Sequence, residues 1–392
     1  MSVIAQETIP MLDLSDEVNE LWNELNAAIQ SVLRSGQFIM GPDVTAFEKE
    51  VASYLGVKHA IGVNSGTDAL VIGLRALDIG AGDEVITTPF SFFATAEAIS
   101  NVGAKPVFVD IEEDSFNIDP AKIEAAISPR SKAIMPVHLY GNPAAMTNIM
   151  AIAKKHNLKI IEDCAQSFGA RYSGQCATCQ GSCDSHLRQE LTGQCTGTLG
   201  HIGAYSFFPT KNLGAYGDGG LITTNDDALA ETCKMLRAHG SKKKYHNELI
   251  GYNSRLDSLQ AAILRVKLPH IDTWNTQRRH AAQRYNELLS GVEGVVTPQL
   301  SGGHIFHQYT IRLTKANRDE VQKKLQEQGI STMVYYPIPQ DQLPVYKGQY
   351  PLHPVSEELA RQVISLPMWP TIKKEMQERV VESLTRALNG AS

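Results

Sequence analysis

The sequence predicts an α/β protein whose mostly parallel sheet is covered by helices on both faces. Short apolar runs alternate with amphipathic segments from residue 60 to residue 162, the pattern that builds such sheets. Chemistry-bearing polar and glycine-containing stretches follow the strand-like runs, where ligands of open α/β sheets bind. No repeat period appears along the 392 residues, a length sufficient for two domains and a large core.

The elements follow in order. Residues 15–35 carry Val18, Leu21, Trp22, Leu25, Ile29, Val32 and Leu33 at helical spacing and stop at Ser35-Gly36. Gly41-Pro42 opens a second helix over 44–55, with proline near its first turn. A strand at 60–63 leads into a helix opened by Ser65-Gly66-Thr67 and running to 77. Strands at 84–87, 106–110, 133–137 and 159–162 then alternate with helices at 93–102, 120–127 and 146–156. Apolar runs at 204–208 and 221–224 flank a glycine-rich turn, and helical pattern returns at 228–236 and over 257–288. The remainder mixes a strand at 306–313 with helices at 318–328 and 356–363. We read residues 1–265 as a large domain, and 266–392 as a linking helix plus a small C-terminal α/β domain.

A net charge of −6 and a pI near 6.1 argue against general nucleic-acid binding. No apolar run approaches a membrane span and no signal peptide opens the chain, so a cytoplasmic protein is expected. Six cysteines do not make a disulfide scaffold in a chain of this size. Four of them, Cys176, Cys179, Cys183 and Cys195, cluster with His186 nearby. That group is either a zinc or iron–sulfur site or an insertion with reduced thiols. Gly174-Gln175-Cys176 recurs as Gly193-Gln194-Cys195, 19 positions on, which favours the insertion and no metal.

The chemistry centres on Ser206-Phe207-Phe208-Pro209-Thr210-Lys211-Asn212-Leu213-Gly214-Ala215-Tyr216-Gly217-Asp218-Gly219-Gly220. Pro209 ends the apolar strand because it has no N–H for the ladder. The glycines let the backbone turn sharply and approach a bound group. Lys211 could be an ordinary surface lysine, but its flanks are apolar and rigid. A lysine so placed can lose its proton and attack carbonyls. Ser65-Gly66-Thr67 opens a helix, where free N–H groups and the dipole favour an anion, although the same residues can serve only as a cap.

Three further stretches stand in order with this one: Asn64-Ser65-Gly66-Thr67-Asp68-Ala69-Leu70, Glu162-Asp163-Cys164-Ala165-Gln166-Ser167 and Gly251-Tyr252-Asn253-Ser254-Arg255-Leu256-Asp257. Together they resemble the DegT/DnrJ/StrS-type sugar aminotransferases over residues 9–388. That family uses pyridoxal 5′-phosphate (PLP) on the aspartate aminotransferase fold, type I. The resemblance implies a mostly parallel seven-stranded sheet flanked by helices and a smaller C-terminal domain. It implies that Lys211 carries PLP and then moves the proton between substrate and cofactor carbons. Gly66, Thr67 and Ser206 would touch the cofactor phosphate, and Asn253 would reach it from a second subunit, making a homodimer. Asp163 would pair with the ring nitrogen and keep the ring an electron sink. By itself an Asp after a strand is more often a loop cap. Gln166 would bond the ring hydroxyl, and Phe92 would cover one ring face rather than join Phe90 and Phe93 in the core.

The implied donor is L-glutamate, and the implied acceptor is a keto-sugar linked to UDP or dTDP, in amino-sugar and polysaccharide biosynthesis. Arg255 would pair with the donor carboxylate or the diphosphate, or else form a structural salt bridge. Tyr336 and His307 are further substrate candidates. Tyr335 stands where relatives often carry histidine. Asp163 and Lys211 lie 48 positions apart, or 29 without the 19-residue insertion, and the shorter spacing suits the family. The wording from Phe208 to Gly220 looks like the branch that works at sugar carbon 3. A dehydratase of this fold would carry histidine in place of Lys211. A catalytically silent regulatory relative could keep the fold alone. A dinucleotide-binding oxidoreductase is rejected because no G-x-G-x-x-G joins an early strand to a helix.

Overall fold

The computed structural model describes residues 8–174 and 184–389. The first elements are α1 (Ser15–Glu20), α2 (Trp22–Ser35), α3 (Pro42–Leu55), β1 (His59–Val63), α4 (Gly66–Ala76), β2 (Glu84–Thr87), α5 (Ala94–Asn101) and β3 (Lys105–Phe108). Next come α6 (Pro120–Ile123), β4 (Ser131–Ile134), α7 (Met146–His156), β5 (Lys159–Asp163), α8 (Ser185–Leu191), β6 (Ile202–Ser206), β7 (Gly220–Thr224) and α9 (Asp227–Arg237). A hairpin of β8 (Ser241–Lys243) and β9 (His246–Asn247) precedes α10 (Ser258–Lys267) and α11 (Ile271–Leu288). The chain continues through β10 (Val295–Val296), β11 (Tyr309–Leu313), α12 (Arg318–Glu327), α13 (Pro354–Gln362), β12 (Val363–Leu366) and α14 (Lys374–Asn389).

Seven strands form one sheet in the order β1-β7-β6-β5-β4-β2-β3. Only β7 runs antiparallel to its neighbours; the other pairings are parallel. It follows that β1, β2, β5 and β6 end on one edge, and that β7 starts there. The sheet is apolar on both faces because helices cover both. One face packs on α4, α5 and α9 through Ile61, Leu70, Ile99 and Ile202. The other packs on α2, α3 and α10 through Leu25, Phe47, Ala60 and Leu264. A second, antiparallel sheet of β10, β11 and β12 shares a core with α11, α12 and α14, built on Tyr285, Tyr309, Val321, Ile364 and Leu384. Ile9 belongs to this second core and bridges Ile330, so the N-terminal segment packs away from the sheet that the rest of residues 1–265 builds.

Several elements differ from the sequence reading, each for a local reason. The helix expected over 257–288 breaks into α10 and α11 around a 3-10 turn at Leu268–His270. Pro269 has no N–H to continue the ladder. The helix expected to 363 ends at Gln362, and Val363 opens a strand, β12, that pairs with β11 and sends Ile364 and Leu366 into the second core. The first helix divides at Leu21, which points into the core. The insertion has structure of its own in α8, capped by Asp184 on the amides of His186 and Leu187. Leu191 is buried from that helix. Tyr172 and Gly193–Gln194 pair at the insertion's stem through two backbone hydrogen bonds of 2.8 Å. Cys195 is buried there as a free thiol; Cys176, Cys179 and Cys183 lie outside the described residues.

Candidate active site

The strand ends on the common edge build a floor. Gly220 of β7 pairs with Val63 on one side and with Ser206 on the other. A Cβ on Gly220 would come within 2.2 Å of the Ser65 carbonyl oxygen, and one on Gly66 within 2.7 Å of Ser206 Cβ. Glycine at both positions lets the start of α4 sit directly against Ser206. Ser65 caps that helix by accepting from the Asp68 amide at 3.1 Å. The amides of Gly66 and Thr67 have no intrahelical acceptor, so the helix end is a cradle for an anion.

Lys211 rises beside this cradle on a folded-back loop. Phe207 donates to Gly219, Ala215 to Phe207 and Lys211 to Phe208, all backbone bonds of 2.8 Å. Behind the loop, the buried Lys267 ammonium donates to the Gly214 carbonyl and pairs with Glu17 at 2.6 Å. A buried ion pair adds little net stability, but losing either partner would strand a charge and release the turn. Asn212 is held on the other side: it accepts from His307 Nδ1 at 2.9 Å and donates to Asn275 at 2.7 Å. Burial lowers the Lys211 ammonium to about 8, with the charge of Asp163 opposing the shift.

Asp163 closes β5 and is 5% exposed. Its carboxylate accepts from Thr95 Oγ1 at 2.9 Å and from the Ala165 amide at 3.1 Å. Burial raises its pKa, while these bonds and the charges of Lys211 and His138 pull it back. Such a group is stabilised as an anion by a cationic partner. Gln166 accepts from the Tyr140 amide at 2.6 Å and donates to the Tyr336 hydroxyl at 3.0 Å, so its head group is fixed. Phe92 is 60% exposed with its ring 6.3 Å from that of Tyr336, whereas Phe90 is fully buried. The edge thus presents an anion cradle, an amine, a carboxylate and a flat aromatic face.

A profile of the DegT/DnrJ/EryC1/StrS aminotransferase family matches residues 19–385. This chain belongs to that family. It is 51% identical over 386 residues to a "Pleiotropic regulatory protein" from Geobacillus stearothermophilus, covering 96% of this chain and 97% of that one. It is 46% identical over 385 residues to UDP-N-acetyl-3-dehydro-alpha-D-glucosamine 3-aminotransferase from Acidithiobacillus ferrooxidans, covering 97% and 98%. Among solved structures, DesV from S. venezuelae in complex with a ketimine intermediate matches with a TM-score of 0.89 at 41% identity, over 97% of this chain and 98% of that one.

The aminotransferase gathers Gly66, Thr67, Phe92, Asp163, Gln166, Ser206, Lys211, Tyr336 and His307 around this edge. Asn253 is exposed and Arg255 half-buried in the next segment, which Ser254 ties to Asn64 at the end of β1 by a 2.9 Å hydrogen bond. Arg255 makes no ion pair among the described residues. His307 is buried and committed to Asn212; burial and the nearby cations of Lys211 and Arg278 hold it neutral. His138, Glu162 and Cys164 have ligand atoms within 4.8 Å of one another. Glu162 there accepts from the amides of Gly197, Leu199 and Gly200 and from His138, fixing the turn that leads into β6.

Ser91, Thr95, Tyr140 and Asn212 join the site without having stood out in the sequence. Ser91 and Thr95 carried one signal, a four-residue spacing at a helix start, but hydroxyls at such a place read as caps.

The cradle yields a first prediction. Gly66→Ala of the aminotransferase should still fold but at a cost of about 1–3 kcal/mol, because the new Cβ would lie 2.7 Å from Ser206 Cβ and push the helix start and the strand end apart. Its affinity for pyridoxamine 5′-phosphate should drop about tenfold or more, since the displaced groups are the ones that face the anion. Thermal melts and a binding titration check this; unchanged affinity would mean that Gly66 serves packing alone.

Proposed function

We infer that this aminotransferase holds PLP and moves the amino group of L-glutamate to a nucleotide-linked 3-keto sugar, UDP- or dTDP-linked. The observation that carries the reading is a lysine amine lowered to about 8, standing on one edge with a buried carboxylate and a glycine-built anion cradle. PLP when bound supplies an electron sink for breaking the bond between hydrogen and the substrate's amine-bearing carbon. The amides of Gly66 and Thr67, with Ser206, would hold its phosphate, and Asp163 its ring nitrogen. Gln166 would face the ring hydroxyl and Phe92 one ring face. Lys211 would anchor the cofactor and, once released by an incoming amine, shuttle the proton. Asn253 would complete the phosphate site from a second subunit of a cytoplasmic homodimer. Arg255 and Tyr336 are assigned to the donor carboxylate or the sugar nucleotide. His307 supports the Lys211 loop through Asn212.

The position of the keto group is taken from the 3-aminotransferase relative and from the wording around Lys211. A second reading has one observation in its favour, the relative named as a regulatory protein. The two separate on one measurement. Purified protein carrying PLP should lose its yellow absorbance on adding L-glutamate; a silent regulator would keep it.

A pH dependence follows from the Lys211 amine. Only the neutral amine attacks a carbonyl, and at pH 7 about a tenth of it is neutral if it titrates near 8. Uptake of PLP by the apo-protein should therefore accelerate with pH and level off above about pH 8. Stopped-flow absorbance reads this directly. A rise that continues to the usual lysine range would show an unperturbed amine.

A further inference from the structure

Thr95 lies in the first turn of α5, and its amide donates to the Phe92 carbonyl at 3.2 Å. Its hydroxyl is 2.9 Å from Asp163 Oδ2 and 3.0 Å from Ser91 Oγ. All three side chains are buried: Thr95 is 1% exposed, and Ser91 and Asp163 are 5% exposed. An ionised carboxylate can only accept. Thr95 therefore spends its single hydroxyl proton on Asp163, and Ser91 is left to donate to Thr95. The second carboxylate oxygen takes the Ala165 amide. Around this carboxylate stand the Lys211 ammonium, the imidazole of His138 and the Tyr336 phenol, which burial keeps un-ionised.

We propose that Thr95 is a positioning residue, which holds Asp163 charged and aimed through a buried Ser91–Thr95–Asp163 relay. The inference rests on the reading of this edge as the PLP site. Burial favours the neutral acid, and each donor favours the charged form. No water replaces a donor lost at so enclosed a place. Thr95 also shares its turn with Phe92, so one helix start sets both the aromatic face and the carboxylate.

Two measurements test the relay, one of them free of cofactor. In apo-protein made with carbon-13 aspartate, the Asp163 carboxyl signal, identified by its loss in Asp163→Asn, should titrate about one unit higher in Thr95→Val than in wild type. Ser91→Ala, which leaves Thr95 in place, should shift it the same way by less. Binding of pyridoxamine 5′-phosphate by calorimetry should weaken about tenfold in Thr95→Val and stay within about threefold in Thr95→Ser, which keeps the donor. Added to Asp163→Asn, Thr95→Val should cost less than about twofold, because its acceptor charge is gone. An unshifted Asp163 titration in folded Thr95→Val or Ser91→Ala protein overturns the relay. So does a loss of affinity that persists in full on the Asp163→Asn background. Wild-type protein that fails to bind pyridoxamine 5′-phosphate would defeat the proposed function instead, and the carbon-13 titration would still judge the relay.

Discussion

Lys211→Ala is expected to abolish transamination, by about a thousandfold or more, and to leave the fold intact. Burial lowers this amine to about 8, within reach of the neutral form that the chemistry needs. It combines two roles that no neighbour can take over. Lys267, the other buried lysine described beside the loop, is held by Glu17 and the Gly214 carbonyl behind the turn. Among the described residues, removing the Lys211 amine takes no partner from a hydrogen-bonded core network, because Lys211 holds the Phe208 carbonyl through its backbone amide. Initial rates with L-glutamate, alongside circular dichroism, check both halves. Turnover at the wild-type rate would remove the lysine from the chemistry.

Asp163→Asn is expected to keep partial cofactor binding while slowing proton removal about a hundredfold or more. The amide fits the space, but its single oxygen can accept from only one of the two donors, Thr95 Oγ1 or the Ala165 amide, that Asp163 takes on separate oxygens, and it cannot neutralise a protonated ring nitrogen. A second effect accompanies the first. The Asp163 charge holds the Lys211 amine up against burial, so its loss should lower that amine further. The pH at which PLP uptake levels off should then move down in the variant. Single-turnover rates and the uptake profile read the two effects separately. Wild-type rates would make Asp163 a structural cap.

The sheet was legible because each strand carries a closed apolar run and each following stretch carries polar residues at the edge. The candidate residues Lys211, Asp163 and Gly66 could be singled out for the same reason: they sit at or just beyond strand or helix ends, where local wording is distinctive. What escaped reading depends on contacts made across the fold. β12 went unread because its four residues follow directly on α13, the helix expected to end at 363, and only β11 alongside them makes a strand. The long linking helix hid its break because one proline in a strongly periodic stretch is a small signal. Thr95 and Asn212 take their significance from Asp163 and His307, which lie 68 and 95 positions away. No local pattern encodes such pairings. His307 suggested a substrate contact by its type, but its Nδ1 is turned to Asn212.

In the inferred reaction the amine passes through this edge to a nucleotide-linked sugar bearing its keto group at carbon 3. The most direct test loads the protein with pyridoxamine 5′-phosphate, with no glutamate present, and offers 3-keto and 4-keto sugar nucleotides carrying UDP or dTDP. The yellow absorbance of PLP is expected to return with a 3-keto sugar, together with one equivalent of 3-amino sugar. Return of that absorbance only with 4-keto sugars would contradict the carbon-3 assignment, and no return with any of them would contradict the inferred reaction as a whole.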